Sequence, residues 1–545
     1  MKIKHIISLS FLIFFNITIS LCQLFHTKQD SLRGSISKER SWWDVKKYDL
    51  EIEPIFNKQK VIGVNTITFF TLQPGQKMQV DLQEPLEIDS ISFVEEKTSL
   101  IRVGNVFYIH FENELLADKM YQLSIHFSGK PRKAINAPWD GGWIWSKDVN
   151  GNPWMTVACQ GLGASSWYPC KDHQSDEPDL GATISVKVPS ELVAVSNGKL
   201  VGKKEVEKNK VIYYWEVKNP INSYNIVPYI GKYVHWSDEY IGEKGKLSLD
   251  YWVLEGSLDR SKKQFEQVKS MLSCLEKWFG PYPFYEDGYK LVESPHLGME
   301  HQSAIAYGNK YKNGYDGSDI SHSGTGDKWD FIIVHESGHE WFGNSITSND
   351  IADMWIHEAF TSYSEVLYTE FLFGKEAANN YIIGIRNRIK NDTPIIGQYG
   401  VNKEGSGDMY FKGSNLIHII RQLMNDDVQF RNLLRAINTK FYHQTITSNQ
   451  IERFIIEETG IPLEKVFDQY LRSPKIPTLE IQSKDEGVQY RWTNCVSGFT
   501  MKVKNSRGHW ISPTEEWSSK VIWQADFGEQ VFDSLFYIKQ SHIRE

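Results

Sequence analysis

Two histidines four positions apart, with a glutamate directly after the first, constrain this chain more than any other feature: His335-Glu336-Ser337-Gly338-His339. On a helix, residues i and i+4 lie about 40° apart around the axis, so both imidazoles leave one face and can share an ion. Glu336 sits beside that face, within reach of a water on the ion but badly placed to ligate it alongside both histidines. A chain of this composition is expected to hold only about 0.03 such matches by chance. The helix is expected to start at a cap on Asp327 or Thr325, to bury Phe331, Ile332, Val334 and Trp341, and to end near Gly343.

A zinc ion that catalyses needs a third protein ligand and one open position. Met354-Trp355-Ile356-His357-Glu358-Ala359-Phe360 opens a second helical pattern that continues through Tyr363, Val366, Leu367 and Phe371. Glu358 stands 19 residues after His339, which leaves room for a turn at Ser348-Asn349-Asp350 and an antiparallel return. It is the expected third ligand. His357, one position away, faces about 100° elsewhere and reads as a supporting or surface histidine.

At this spacing the residues are similar to the gluzincin peptidases of the aminopeptidase N family, which also contains a leukotriene-epoxide hydrolase. Further segments carry the resemblance. Leu297-Gly298-Met299-Glu300-His301-Gln302 resembles the family's Gly-x-Met-Glu-Asn motif, with Leu297 and His301 departing from it; the resemblance implies that Glu300, with Gly298 and Met299, receives the free α-ammonium of a substrate. Cys159-Gln160-Gly161 matches the segment that brings Gln160 to the same subsite. Asp408-Met409-Tyr410-Phe411-Lys412-Gly413 resembles Tyr-x-Lys-Gly, which implies that Tyr410 donates its phenol to a developing oxyanion.

The rest of the chain fits an α+β multidomain protein. At 545 residues with 41% apolar content it exceeds one hydrophobic core. Period-two alternation, as in Tyr48 to Glu53, Met78 to Leu82 and Leu123 to Phe127, with turns at Gln73-Pro74-Gly75 and Ser196-Asn197-Gly198, predicts a β-rich domain over 41–245. From Ser257 to Phe279 the period becomes helical and stops at Gly280-Pro281. Helical patterns then fill a catalytic domain over 246–475, and strand-like runs such as Leu479-Glu480-Ile481 and Val521-Ile522-Trp523 predict a small β-domain over 476–545. The resemblance, which runs from Trp42 to Lys475, implies a saddle-like N-terminal domain and a thermolysin-like, mainly helical catalytic domain; the large helical C-terminal domain of many relatives has no counterpart in the short β-tail.

Lys2 and Lys4 precede an interrupted apolar run, Ile6 to Leu21, too short for a convincing membrane span, and the first 22 residues read as a secretory signal peptide cut before Gln23. A secreted or periplasmic protein is expected, with lipid anchoring at Cys22 the alternative. The five cysteines, Cys22, Cys159, Cys170, Cys274 and Cys495, are too sparse for a disulfide scaffold. A net charge of −8 with scattered Lys and Arg gives no electrostatic footprint for nucleic acid. The expectation is therefore a zinc-dependent aminopeptidase holding one Zn²⁺ on His335, His339 and Glu358, with Glu336 as general base and peptides as substrates. A zinc endopeptidase, an epoxide hydrolase or a noncatalytic peptide-binding protein are the alternatives.

Overall fold

A computed structural model describes residues 26–93, 97–207, 209–484, 487–505, 508–518 and 532–543. The expected signal peptide, Cys22 and the run Val521-Ile522-Trp523 lie outside the described residues. The architecture is α+β. Among the described residues no helix is long and apolar enough to cross a membrane.

The alternating segments form strands, as their periodicity demands. A seven-stranded sheet runs in the order Lys199–Glu207, Lys210–Val217, Ala182–Pro189, Trp43–Ile55, Lys60–Thr71, Met120–Gly129, Glu87–Phe93. All of its neighbours are antiparallel except Trp43–Ile55 with Ala182–Pro189. Trp43–Ile55 shows why: Tyr48, Leu50 and Ile52 are buried while the acids between them face outward. Four-stranded and three-stranded sheets complete this part, and one hydrophobic core joins all three.

A five-stranded sheet, in the order Tyr233–Gly242, Gly245–Leu254, Tyr289–Glu293, Ile305–Tyr307, Gly298–Met299, backs the helices of the second core. The expected division at 245 falls at the tip of the hairpin between its first two strands, so the sheet change lies instead at Gly231 to Tyr233. Helix α1 (Gln267–Phe279), α2 (Phe331–Gly338), α3 (Trp355–Phe373) and α4 (Phe411–Met424) surround the site. Beyond Pro474, Thr478–Lys484 pairs with Gly487–Thr493 and Lys539–Ile543, but Leu479, Ile481, Trp492 and Phe499 bury in the same core as the helices. Among the described residues the β-tail therefore has no core separate from that of the helices.

The polar stretch ahead of the first strand is ordered. Thr27 caps a helix over Lys28–Gly34 with a reciprocal capping box, and Ser37 precedes a short helix over Lys38–Ser41. This segment bridges the two cores: Asp30 O accepts from Asn402 N (3.1 Å), while Gln79 Nε2 donates to Leu32 O (3.0 Å). Arg40 is its anchor. Fully buried, its guanidinium pairs with the equally buried Asp81 and donates to Arg33 O (2.7 Å) and Ser35 O (3.0 Å). Removing one partner of a buried pair strands the other charge, at a cost of about 3–5 kcal/mol. Arg40→Ala should thus lower the urea midpoint sharply; an unchanged midpoint would show that this pair does not hold the segment down.

Candidate metal centre and amine subsite

The helix carrying the two histidines begins at Asp330, not at Asp327 or Thr325. Asp330 Oδ1 accepts from Ile332 N (3.1 Å) and Ile333 N (3.4 Å), whereas Thr325 and Lys328 close a turn before it. Tyr307, Asn309 and Gln264 hydrogen-bond the same carboxylate, which places the cap by tertiary contacts that spacing does not display. At the other end the helix stops at Gly338, with His339 as its C-cap, and Gly343 (φ +124°) serves the following turn. Both imidazoles nevertheless leave one face.

His335 Nε2 and His339 Nε2 lie 3.3 Å apart, and Glu358 Oε2, from the first turn of α3, is 3.7 Å and 3.4 Å from them. The outer nitrogens decide the proton positions. His335 Nδ1 contacts Glu365 Oε1 at 2.8 Å and His339 Nδ1 contacts Phe342 O at 3.0 Å. Both of these partners accept, so each Nδ1 carries a hydrogen and each Nε2 is turned inward, where it can hold a metal ion or, drawn by Glu358, a proton. Glu358 Oε2 is buried with no hydrogen-bond partner. Two ring nitrogens and a carboxylate oxygen thus converge in a buried space, an arrangement that repels itself unless a metal ion or protons sit among them. Tetrahedral zinc with bonds of about 2.0–2.1 Å holds its ligand atoms roughly 3.3–3.4 Å apart; the residues present fit that ion. Burial works against the charge on Glu358, yet His339 and His335 hold its carboxyl well below the usual carboxylate range.

His357 takes no part. It is fully buried, accepts from Ser348 N (2.8 Å), and burial pushes it down to about 3. Glu336 projects beside the three donors, and burial, opposed by His335 and His339, pushes its carboxyl up to about 7. Gly298 makes room for it: a Cβ there would lie 2.5 Å from Glu336 Oε1 and 2.9 Å from Ile332 Cγ2, so only glycine lets this edge strand pass so close. Tyr410, the residue before α4, sets its ring 6.1 Å from that of His335 at 22° to it. Burial, reinforced by Glu358, raises its phenol well above the ordinary value, so it stays a proton donor.

Glu300 follows the same edge strand and is almost fully buried. Its Oε1 accepts from Gln160 Nε2 (2.5 Å) and from Tyr224 OH (3.0 Å), which brings the two expected amine-subsite residues together across the seam between the cores. Met299 lines the same cavity, of about 440 Å³. Of the two departures from the family pattern, His301 turns elsewhere while Leu297 lines the cavity. His301 Nδ1 meets Tyr229 OH (2.5 Å), and Leu297 O accepts from Gly308 N (2.8 Å).

Several residues escaped the sequence reading. Glu365 lies two turns after Glu358, a spacing that puts both on one face of α3 and could have exposed its role; its other oxygen accepts from Tyr381 OH (2.7 Å). Tyr224 carried no local signal. Asn344, whose Nδ2 donates to Glu300 O (2.8 Å), closes the histidine segment itself. Glu404, from the loop before Tyr410, also faces the cavity, and burial pushes it up to about 7.

Comparison with known proteins bears on the family and the fold. The chain matches the Peptidase M1 N-terminal domain over residues 45–225 and the Peptidase family M1 domain over residues 263–470. It is 21% identical over 471 residues to "Probable aminopeptidase 1" of Sulfurisphaera tokodaii, covering 82% of this chain and 55% of that protein. It is 24% identical over 350 residues to "Leukotriene A-4 hydrolase" of Xenopus laevis, covering 60% of this chain and 54% of that one. The chain thus spans about half the length of these curated relatives. In fold it is similar to the M1 zinc metallopeptidase from Deinococcus radiodurans, with a TM-score of 0.68 at 18% identity over 82% of this chain and 98% of that one.

A carboxylate that orients a ligating imidazole typically accounts for about 10–100-fold in metal affinity. Glu365→Ala should weaken zinc binding by that factor in a chelator competition while circular dichroism stays unchanged; wild-type affinity in the variant would remove Glu365 from the site.

Proposed function

Because the chain belongs to the peptidase M1 family, we propose that it is a zinc-dependent aminopeptidase that hydrolyses the first peptide bond of its substrates. The observation that carries this reading is the Gln160–Glu300–Tyr224 cluster beside the three metal donors, since a buried carboxylate with only neutral hydrogen-bond donors on it calls for a cation. A peptide's free α-ammonium supplies one.

One Zn²⁺ per chain would be held by His335 Nε2, His339 Nε2 and a Glu358 oxygen. When bound, it supplies a Lewis acid that lowers the pKa of water from about 15.7 towards ~7. Glu336 takes the proton from the attacking water and delivers it to the leaving amine. Tyr410 donates its phenolic hydrogen to the oxygen that gains charge at the former carbonyl. Glu300 and Gln160 grip the α-ammonium, so the first carbonyl arrives in register and internal bonds do not.

An endopeptidase would share the metal donors and Glu336, but an amino-blocked peptide would bury Glu300 without a countercharge. Epoxide hydrolysis has no specific observation in its favour, and a noncatalytic binding protein would not need Glu336 and Tyr410 beside the donors. The charged start and apolar run of residues 1–22 support export, which N-terminal sequencing of the mature protein would test.

Glu336→Gln should retain zinc and lower turnover of aminoacyl amides by about 10²–10⁴-fold, and chelation should abolish it; activity that survives either change would sink the mechanism. Glu300→Ala should impair free-amine substrates far more than amino-blocked ones. Equal loss on both would remove the exopeptidase reading.

A further inference from the structure

The loop that ends at Tyr410 carries a carboxylate for which the mechanism has no use. Glu404 faces the cavity beside the amine subsite: a Cβ on Gly161, the residue after Gln160, would sit 3.0 Å from Glu404 Oε1, and Gly161 adopts φ +72°, where side chains are strained in any case. Its position is built. Asn402 Nδ2 donates to Gly161 O (2.9 Å), Asn402 N to Asp30 O (3.1 Å) and Gly400 N to Asp350 Oδ2 (2.9 Å), so the loop is tied to both cores and to the N-terminal segment.

Among the described residues Glu404 makes no ion pair, and the charged groups that act on it are the carboxylates of Glu358 and Glu300. On the reading above, the metal answers Glu358 and the substrate's α-ammonium answers Glu300. No cation remains for Glu404. A carboxylate surrounded by like charge and largely removed from water is costly unless a positive group comes to it. Trp139 lines the same cavity, is 65% exposed, and its ring contacts no other ring or cation among the described residues. Its loop is nonetheless fixed, because Asp140 accepts from Ile135 N (2.7 Å) and Asn136 N (3.0 Å). Indole faces attract cations and cover methylene stems.

We propose that Glu404 and Trp139 form the subsite for the first side chain, and that they select substrates whose N-terminal residue is Arg or Lys, its stem over Trp139 and its charge on Glu404. This rests on the aminopeptidase reading and deepens it. Arg388, the other charged group lining the cavity outside the catalytic cluster, donates to Ile320 O (3.3 Å) and is not among the charged groups that act on Glu404.

The test is a panel of aminoacyl amides with Arg, Lys, Leu, Met and Ala in first position, assayed on the zinc-loaded wild type and on Glu404→Gln and Glu404→Asp. Wild type should prefer Arg and Lys. Glu404→Gln should lose about 10–100-fold in kcat/KM for these two, mostly through KM, with Leu and Met amides within about twofold. Glu404→Asp should recover part of the preference. Equal loss on every amide would place Glu404 at the α-ammonium and overturn the proposal, as would a wild type that prefers Leu or Met; both outcomes leave the aminopeptidase reading standing. A wild type inactive on the entire panel overturns both.

Discussion

Mutual repulsion organises this molecule. Two imidazole lone pairs and one carboxylate oxygen are aimed at each other across 3.3–3.7 Å of buried space. Burial works against charge on the rings, yet Glu358 raises both imidazoles and so favours a proton on each inner nitrogen. A metal ion competes for those same nitrogens, which turns the conflict into binding energy. Everything that holds these groups in place, from the Asp330 cap to Gly413, whose Cβ would lie 2.7 Å from that of Ala359 and so lets α4 approach α3 beside Glu358, also holds them ready for the ion.

The three candidate metal donors come from one core and the Gln160–Glu300–Tyr224 cluster from two. Glu300, directly after an edge strand of the helical part, meets Gln160 and Tyr224 of the β-rich part. Met299, Val292, Ala304 and Ala306 bury in the core of the β-rich part, so apolar as well as polar contacts join the two parts at that seam. The N-terminal segment, anchored by Arg40, reaches the Glu404 loop from the far side. The geometry of this cluster is thus a property of the seam.

Local chemistry was legible in the sequence, and long-range satisfaction was not. The i, i+4 spacing announced the metal helix, and strict alternation announced strands such as Trp43–Ile55, because both depend on periods that neighbouring residues reveal. The cap at Asp330 was missed since Asp327 looks equally good locally; three side chains distant in the chain decide between them. The hairpin spanning 245 was divided wrongly for a related reason, as a turn signal does not say to which sheet its strands belong. Tyr224 and Glu404 have no motif at all, and only folding brings them to the cavity.

Burial acts on every carboxylate of the site, and its outcome depends on the cations each one faces. Glu358, opposite two histidines, falls well below the ordinary range; Glu336, beside the same histidines but also beside Glu300 and Glu358, rises to about 7; Glu404, with only acids for neighbours, rises to about 7 as well. The ordering assigns work. A carboxylate stabilised as an anion makes a permanent ligand, and one held near neutrality can take up and release a proton. One that rises for lack of any countercharge stores a preference for whatever positive group enters, so the electrostatics that assemble the metal site also leave a charge imbalance for the substrate to correct.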